Sequence, residues 1–159
     1  MQIPRGLLAD IWRHLAAVYP AEGCGFLLGQ RTADGAVVVE DQRPVPNRRE
    51  ADGGGRRRYL IGSDELRAAE REAGAGGRQV VGTYHSHPDA LARPSPYDTE
   101  HAWPWYEYLI VSVVSGVPRE QRVFQLRDDR GGFVECQLSV NDLPCPNPGK
   151  GRGGLGQSR

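Results

Sequence analysis

The chain has 159 residues, a length that suits one domain with its own hydrophobic core. Its 20 basic and 20 acidic residues cancel, so no overall charge favours nucleic acid or a membrane surface as the partner. The expected compartment is the reducing cytoplasm, because the three cysteines include no C-x-x-C pair, the N-terminal segment does not resemble a signal peptide, and no apolar stretch could span a membrane.

The N-terminal segment predicts an amphipathic helix followed by a hairpin. Leucine, isoleucine and valine recur at helical spacing over residues 4–19, and Pro20 ends the pattern. The short apolar run at 21–29 is typical of a buried strand, and Glu22 lies at its entrance. The β-branched run at 36–40 should pair with that strand.

A polar loop and a second helix are predicted next. Residues 41–58 are rich in proline, glycine and arginine, which indicates a flexible surface loop, and the role of its Gly/Arg run at 53–58 is open. Residues 59–61 predict a short strand. Ser63 is expected to cap a helix that has acidic residues in its first turn and Gly74 past its end.

The second half of the chain predicts further strands around a loop. A strand at 79–84 delivers His85, a short helix is expected from 97 to about 105, and residues 107–115 are the most strand-like run. A last hairpin is predicted to join the runs at 121–127 and 132–140.

This order of elements predicts an α/β fold, a mixed sheet with helices on its faces. Beyond Asn141 the composition shifts to proline, glycine, lysine and arginine, which is typical of disorder. We therefore predict one domain over residues 1–140 and a disordered tail over 141–159, with the oligomeric state left open.

The segment at 82–98 carries the strongest chemical signal. His85 and His87 are two residues apart at a strand end, so both side chains can point to one face. Two imidazoles and the carboxylate of Asp98 suit zinc, and three protein ligands leave a fourth position for water. Such a metal lowers the pKa of water to about 7. The water then needs a base. Glu22, next to the small residues at 23–25, is the candidate, although the chain has many acids and spacing alone does not select this one. Ser95 could donate a hydrogen bond to an oxyanion.

Each of these residues also has a purely structural interpretation. Ser95, Pro96 and Asp98 have the spacing of a helix start, with serine at the N-cap and proline at the first position. The histidines alone could be half-exposed residues at a strand end, Glu22 a surface acid, and Cys24 a small buried residue. The combination H-x-H-P-x6-S-x-x-D is far more specific, because five fixed residue types arise by chance about once per three million positions.

The combination resembles the JAMM, or MPN-plus, metalloprotease family, whose signature is an upstream glutamate followed by H-x-H-P-x6-S-x-x-D. The resemblance extends from residue 1 to about 140 and is without substitution at the signature positions, which are Glu22, His85, His87, Pro88, Ser95 and Asp98. It implies a curved mixed sheet flanked by helices, similar to the cytidine deaminases. It also implies Zn²⁺ as cofactor, with the two histidines and the aspartate as ligands, the glutamate as acid/base and the serine as the group that stabilises the tetrahedral intermediate.

The resemblance implies an activity and leaves an alternative. Small bacterial members look like peptidases or isopeptidases that process ubiquitin-like sulfur-carrier proteins, and this short chain resembles that type. The alternative is a non-catalytic MPN-type protein-interaction scaffold, although such members lose ligands that are all present here. A zinc deaminase would need H-x-E with P-C-x-x-C, and a thermolysin-like protease would need H-E-x-x-H; neither pattern occurs.

Overall fold

A single mixed β-sheet and three helices make up the part of the chain that the structure, a computed structural model, describes: residues 1–49 and 58–142. The strands are β1 Gln2–Pro4, β2 Cys24–Arg31, β3 Val37–Val45, β4 Gln79–Pro88, β5 Glu107–Val114, β6 Val117–Leu126, β7 Phe133–Cys136 and β8 Ser139–Asn141. The helices are α1 Arg5–Val18, α2 Ser63–Ala75 and α3 Pro96–His101. None of these helices has the length and apolar character needed to cross a membrane.

The sheet curls until its two edges come close to each other. Its strand order is β7-β6-β5-β4-β2-β3-β1-β8, and the pairs β4–β5, β1–β3 and β1–β8 are parallel while the others are antiparallel. Edge strands β7 and β8 are joined by Gln137 and Leu138 alone. Three successive Cα–Cα steps reach at most about 11 Å. The opposite edges are therefore neighbours, which confirms the prediction of a curved mixed sheet.

Helix α1 packs against one face of this curled sheet. Its apolar stripe of Leu7, Leu8, Ile11 and Leu15 is buried against residues of β1 to β6. Fully burying one such side chain contributes about 1.5–3 kcal/mol. The stripe follows the helical spacing seen in the sequence, so the first predicted helix is confirmed.

The opposite face of the sheet is covered by α2, α3 and the segments beside them. Two smaller apolar clusters lie here, one around Phe26 and Ala69 and one around Ile110 and Phe124. Helices on both faces agree with the α/β prediction. The functional motif lies on this second face.

A β-bulge in β4 decides which face the motif histidines occupy. Leu27 pairs with Gly82 and Leu28 pairs with Val80, so Val81 is an extra residue with no partner on β2. In an uninterrupted strand Val81, His85 and His87 would share one face. Because the bulge shifts the alternation, Tyr84 joins Val81 in the α1 cluster, and the two histidines point to the face covered by α2 and α3.

Several predicted boundaries differ from the structure. Residues 59–61 form no strand, so that prediction is wrong. Strand β3 continues to Val45, into the segment predicted as a loop, because residues 41–45 pair with β2. The N-cap of α2 is Gly62 rather than Ser63, and the helix runs past Gly74 to Ala75. The part of the Gly/Arg run before Arg58 lies outside the described residues.

The C-terminal strands also differ from the predicted hairpin. Strand β7 pairs with β6, but β8 leaves that edge and pairs with β1, a short strand that the sequence analysis missed. Strand β6 begins at Val117, four residues earlier than predicted. The division into a domain of 1–140 and a tail of 141–159 stays a prediction, since residues 143–159 lie outside the described part.

Candidate metal centre and active site

Three potential metal ligands converge at the end of β4. The Nε2 atoms of His85 and His87 are 3.1 Å apart, and they lie 3.3 and 3.4 Å from the two carboxylate oxygens of Asp98. All three residues are buried, and their ligand atoms lie within 4.8 Å of one another. The strand brings the histidines together because they are two residues apart, while α3 supplies the carboxylate. Together these side chains could hold a metal ion.

The start of α3 fixes Asp98 through a capping box. Ser95 Oγ accepts a hydrogen bond of 3.2 Å from the Asp98 backbone N–H, and Asp98 Oδ2 accepts one of 2.6 Å from the Ser95 N–H. Pro96 occupies the first turn, as the sequence predicts, but the helix ends at His101 rather than near residue 105. The structural interpretation of Ser95 and Asp98 is therefore confirmed, and the cap also holds Asp98 beside the histidines.

Electrostatics favour the metal-binding protonation states of Asp98 and His85 but not that of His87. Burial opposes ionisation of Asp98, but the neighbouring His85 ring and the hydrogen bonds from both histidines and Ser95 hold the pKa of this carboxyl well below its usual range. Burial lowers the pKa of His85, which favours the neutral imidazole. Burial lowers the pKa of His87, but the neighbouring Asp98 carboxylate, the Leu91 carbonyl and Glu22 together raise it above its usual value. An ionised carboxylate beside a neutral imidazole is the form in which these groups bind a metal ion.

The tautomer of His87 is set by the loop that follows it. Its Nδ1 lies 2.9 Å from the carbonyl oxygen of Leu91, which can only accept, so Nδ1 carries the proton. In the neutral ring, which is the metal-binding form, Nε2 is then left with a lone pair that faces Asp98 and His85. This is the usual arrangement for a histidine ligand, whose second nitrogen donates to a carbonyl or carboxylate.

Glu22 lies in the same region as the histidines and Ser95. It is only 6% exposed, and it lines an open cleft of about 500 Å³ together with His87 and Ser95. Burial raises the pKa of Glu22 to about 7, a value suited to a group that accepts and returns protons near neutrality. The interpretation of Glu22 as an ordinary surface acid therefore does not fit its position.

Two residues that the sequence analysis did not single out hold Glu22 in place. Ser86 Oγ accepts a 2.9 Å hydrogen bond from the N–H of Gly23, and the Ser86 N–H donates a 3.0 Å hydrogen bond to the Gly23 carbonyl. Asn47, itself buried, donates 3.0 Å to the carbonyl oxygen of Glu22. Ser86 lies between the two motif histidines, so its position was the one available sequence signal; for Asn47 there was none.

Cys24 has the structural role that its small size suggests. It is fully buried next to the site, and its thiol donates a 3.7 Å hydrogen bond to the carbonyl of Val45. Burial raises the pKa of Cys24 to about 12, so the thiolate is absent near neutral pH. Cys24 therefore does not serve as a nucleophile.

Comparison with known proteins agrees with this geometry. A family profile described as prokaryotic homologs of the JAB domain matches residues 4–126, a segment that contains all five site residues. A solution structure of a protein from Salinibacter ruber is 41% identical, covers 92% of this chain and 95% of its own, and superposes with a TM-score of 0.70.

Two relatives carry names that describe an activity. One is a probable TtuB-protein conjugate cleaving protease from Thermus thermophilus, 34% identical over 106 residues, or 64% of this chain. The other is a desampylase from Haloferax volcanii, 37% identical over 97 residues, or 58% of this chain. The matched part spans 63% of the length of each relative. Because the profile match extends from α1 to the end of β6 and includes the whole motif, this chain belongs to the family of prokaryotic JAB-domain proteins.

Proposed function

We propose that this chain is a zinc-dependent metallopeptidase or isopeptidase of the JAMM type. It hydrolyses a peptide or isopeptide bond at the C-terminus of a ubiquitin-like protein of the sulfur-carrier kind. The observation that carries this proposal is the convergence of His85, His87 and Asp98, with His87 lining the cleft that Glu22 and Ser95 also line. Membership of the JAB family agrees with it.

The donor set fits zinc. Two imidazole nitrogens and one carboxylate oxygen are ligands that Zn²⁺ prefers, and three protein ligands are typical of catalytic rather than structural zinc sites. His87 already presents Nε2 with Nδ1 bonded to Leu91. When bound, the ion would supply Lewis-acid activation of a water molecule and of the substrate carbonyl.

Glu22 and Ser95 have complementary roles in this mechanism. The Glu22 carboxylate accepts the proton of the attacking water and then delivers it to the leaving amine, for which a pKa of about 7 is well placed. Ser95 Oγ accepts the hydrogen bond of the Asp98 N–H through a lone pair. The Ser95 O–H is therefore free to donate a hydrogen bond to a group in the cleft. There it stabilises the oxyanion that forms on the substrate carbonyl.

The names of the two relatives support the substrate class. They refer to cleavage of TtuB–protein conjugates and to desampylation, and both support a conjugate of a ubiquitin-like protein as the substrate. A scaffold without activity would have no need of a buried His–His–Asp group beside an open cleft. The presence of every ligand therefore favours the enzyme.

The test combines metal analysis with one conservative substitution. Zinc is measured on the purified protein, and wild type is compared with Glu22→Gln on both a linear fusion and a lysine conjugate of a ubiquitin-like sulfur carrier. We expect about one zinc per chain in both proteins and cleavage only by wild type. Absence of bound zinc, or equal cleavage by the glutamine variant, would refute the proposed function.

A further inference from the structure

The two histidines of the metal site are held in different ways. The Nδ1 atom of His87 has a hydrogen-bond partner, the Leu91 carbonyl at 2.9 Å. The Nδ1 atom of His85 is buried and has no hydrogen-bond partner among the described residues. A histidine ligand usually depends on such a bond for the orientation of its ring. Something else must therefore orient His85, whose side chain is 0% exposed.

The ring of Tyr59 contacts His85 directly. The two rings stack with centroids 4.3 Å apart and an angle of 24° between their planes. This offset stacking geometry is a favourable one for aromatic pairs. Tyr59 lies in the connection between β3 and α2, far from His85 in sequence, so nothing in the local motif predicts the contact.

Asn47 fixes the backbone on both sides of Tyr59. Its Nδ2 donates a 3.0 Å hydrogen bond to the carbonyl of Arg58, and its Oδ1 accepts a 3.1 Å hydrogen bond from the N–H of Leu60. The same amide group donates to the carbonyl of Glu22. The position of the Tyr59 ring is thus tied to the segment that carries the proposed base.

We propose that Tyr59 is a positioning residue of the metal site, whose stacked ring holds the His85 imidazole so that Nε2 points at the metal. The stack takes the place of a hydrogen bond at Nδ1, which His85 does not form with any residue in the described part of the chain. The contact surface, not the phenol hydroxyl, carries this role, because the interaction is ring against ring. The inference rests on the metal site of the proposed function and adds a residue outside the H-x-H-P-x6-S-x-x-D motif.

A second stack in the same protein provides a matched control. Tyr97 stacks on His101 with centroids 4.0 Å apart and an interplanar angle of 25°, nearly the geometry of the first pair. His101 is not part of the metal-binding group. Loss of the Tyr97 ring therefore removes a comparable aromatic–imidazole stack close to the site, one whose histidine is not a metal ligand.

The experiment measures zinc affinity by competition with a chromophoric chelator for wild type, Tyr59→Phe, Tyr59→Leu and Tyr97→Leu. We expect Tyr59→Leu to bind zinc about 10- to 100-fold more weakly, the range found when support of a ligand is removed. The zinc affinities of Tyr59→Phe and Tyr97→Leu should stay within about twofold of the wild-type value. All four proteins should give the same far-UV circular dichroism spectrum, which shows that the fold is retained. The Co²⁺-loaded Tyr59→Leu variant should show a shifted visible spectrum.

Three results would overturn the inference. These are unchanged zinc affinity in Tyr59→Leu, an equal loss in Tyr97→Leu, or a Tyr59→Phe variant as weak as Tyr59→Leu, which would assign the effect to the hydroxyl. The outcome is separable from that of the proposed function, because affinity is measured without substrate. A wild type that binds no zinc refutes the proposed function itself, whereas normal wild-type binding with no loss in Tyr59→Leu refutes only this inference.

Discussion

Asn47 joins three segments of the site through one buried amide group. Its Nδ2 donates to the carbonyls of Glu22 and Arg58, and its Oδ1 accepts the N–H groups of Arg49 and Leu60, at 3.0–3.1 Å in each case. In Asn47→Ala all four bonds are lost. A typical hydrogen bond contributes about 0.5–1.5 kcal/mol net, and some of the freed groups reach water, so we expect the free energy of unfolding to fall by about 2–4 kcal/mol.

Urea unfolding of the Asn47→Ala protein measures this loss. The midpoint should fall while the slope m stays unchanged, since the extent of burial is the same. The cleavage rate should fall as well, because both the Glu22 backbone and the segment bearing Tyr59 lose the hydrogen bonds that Asn47 makes to them. The control is Asn141→Ala: the Asn141 Oδ1 has no hydrogen-bond partner among the described residues, so its removal should cost little. A loss below about 0.5 kcal/mol in Asn47→Ala contradicts the role given to this amide.

Three further predictions concern Ser95, Cys24 and His14. Ser95→Ala should lower kcat about 10²–10³-fold, because it removes the oxyanion donor, and should lower the free energy of unfolding by about 1 kcal/mol, because it removes the helix cap. Ser95→Asn should keep the stability, because asparagine also caps helices. Equal kcat values for Ser95→Ala and wild type would exclude the oxyanion role. Iodoacetamide at pH 8 should spare Cys24 in the folded protein but label it in urea, as read by mass spectrometry, because its pKa is about 12; rapid native labelling contradicts this. Burial lowers the pKa of His14, so the unfolded chain binds the proton more readily and the free energy of unfolding falls as the pH drops below about 6.5. Urea titrations of the zinc-loaded protein at pH 7.5 and 5.5 should show a smaller fall in the free energy of unfolding for His14→Gln than for wild type. An equal fall in the two proteins refutes this prediction.

The local part of the site could be predicted from the sequence. His85 and His87 share a face because a strand alternates every second residue, and Ser95 with Asp98 forms a cap because the pattern specifies one. Glu22 is remote in sequence and was selected by the family resemblance rather than by spacing. Its burial and its place in the shared cleft depend on how β2 pairs with β4.

Other features depend on tertiary contacts that local patterns do not contain. The bulge at Val81 turns the histidines to the face of α3, and an alternation pattern alone would have placed them against α1. Strand β8 pairs with β1 only because the curled sheet brings its edges together. The Tyr59 ring stacks on His85, and the Asn47 amide group forms a hydrogen bond with Glu22, and both partners are far away in the sequence. No periodicity or spacing in a single sequence therefore predicts these contacts.

In the proposed function, His85, His87 and Asp98 form an open metal site on a fold that does not need the metal. The most direct test is zinc content, together with thermal unfolding, of His87→Ala against wild type. We predict about one zinc per chain in wild type, almost none in His87→Ala, and a variant that remains folded, since the core rests on the strands and α1. A variant that keeps its zinc would show that His87 is not a ligand, and one that unfolds globally when the metal is lost would show that the metal is structural.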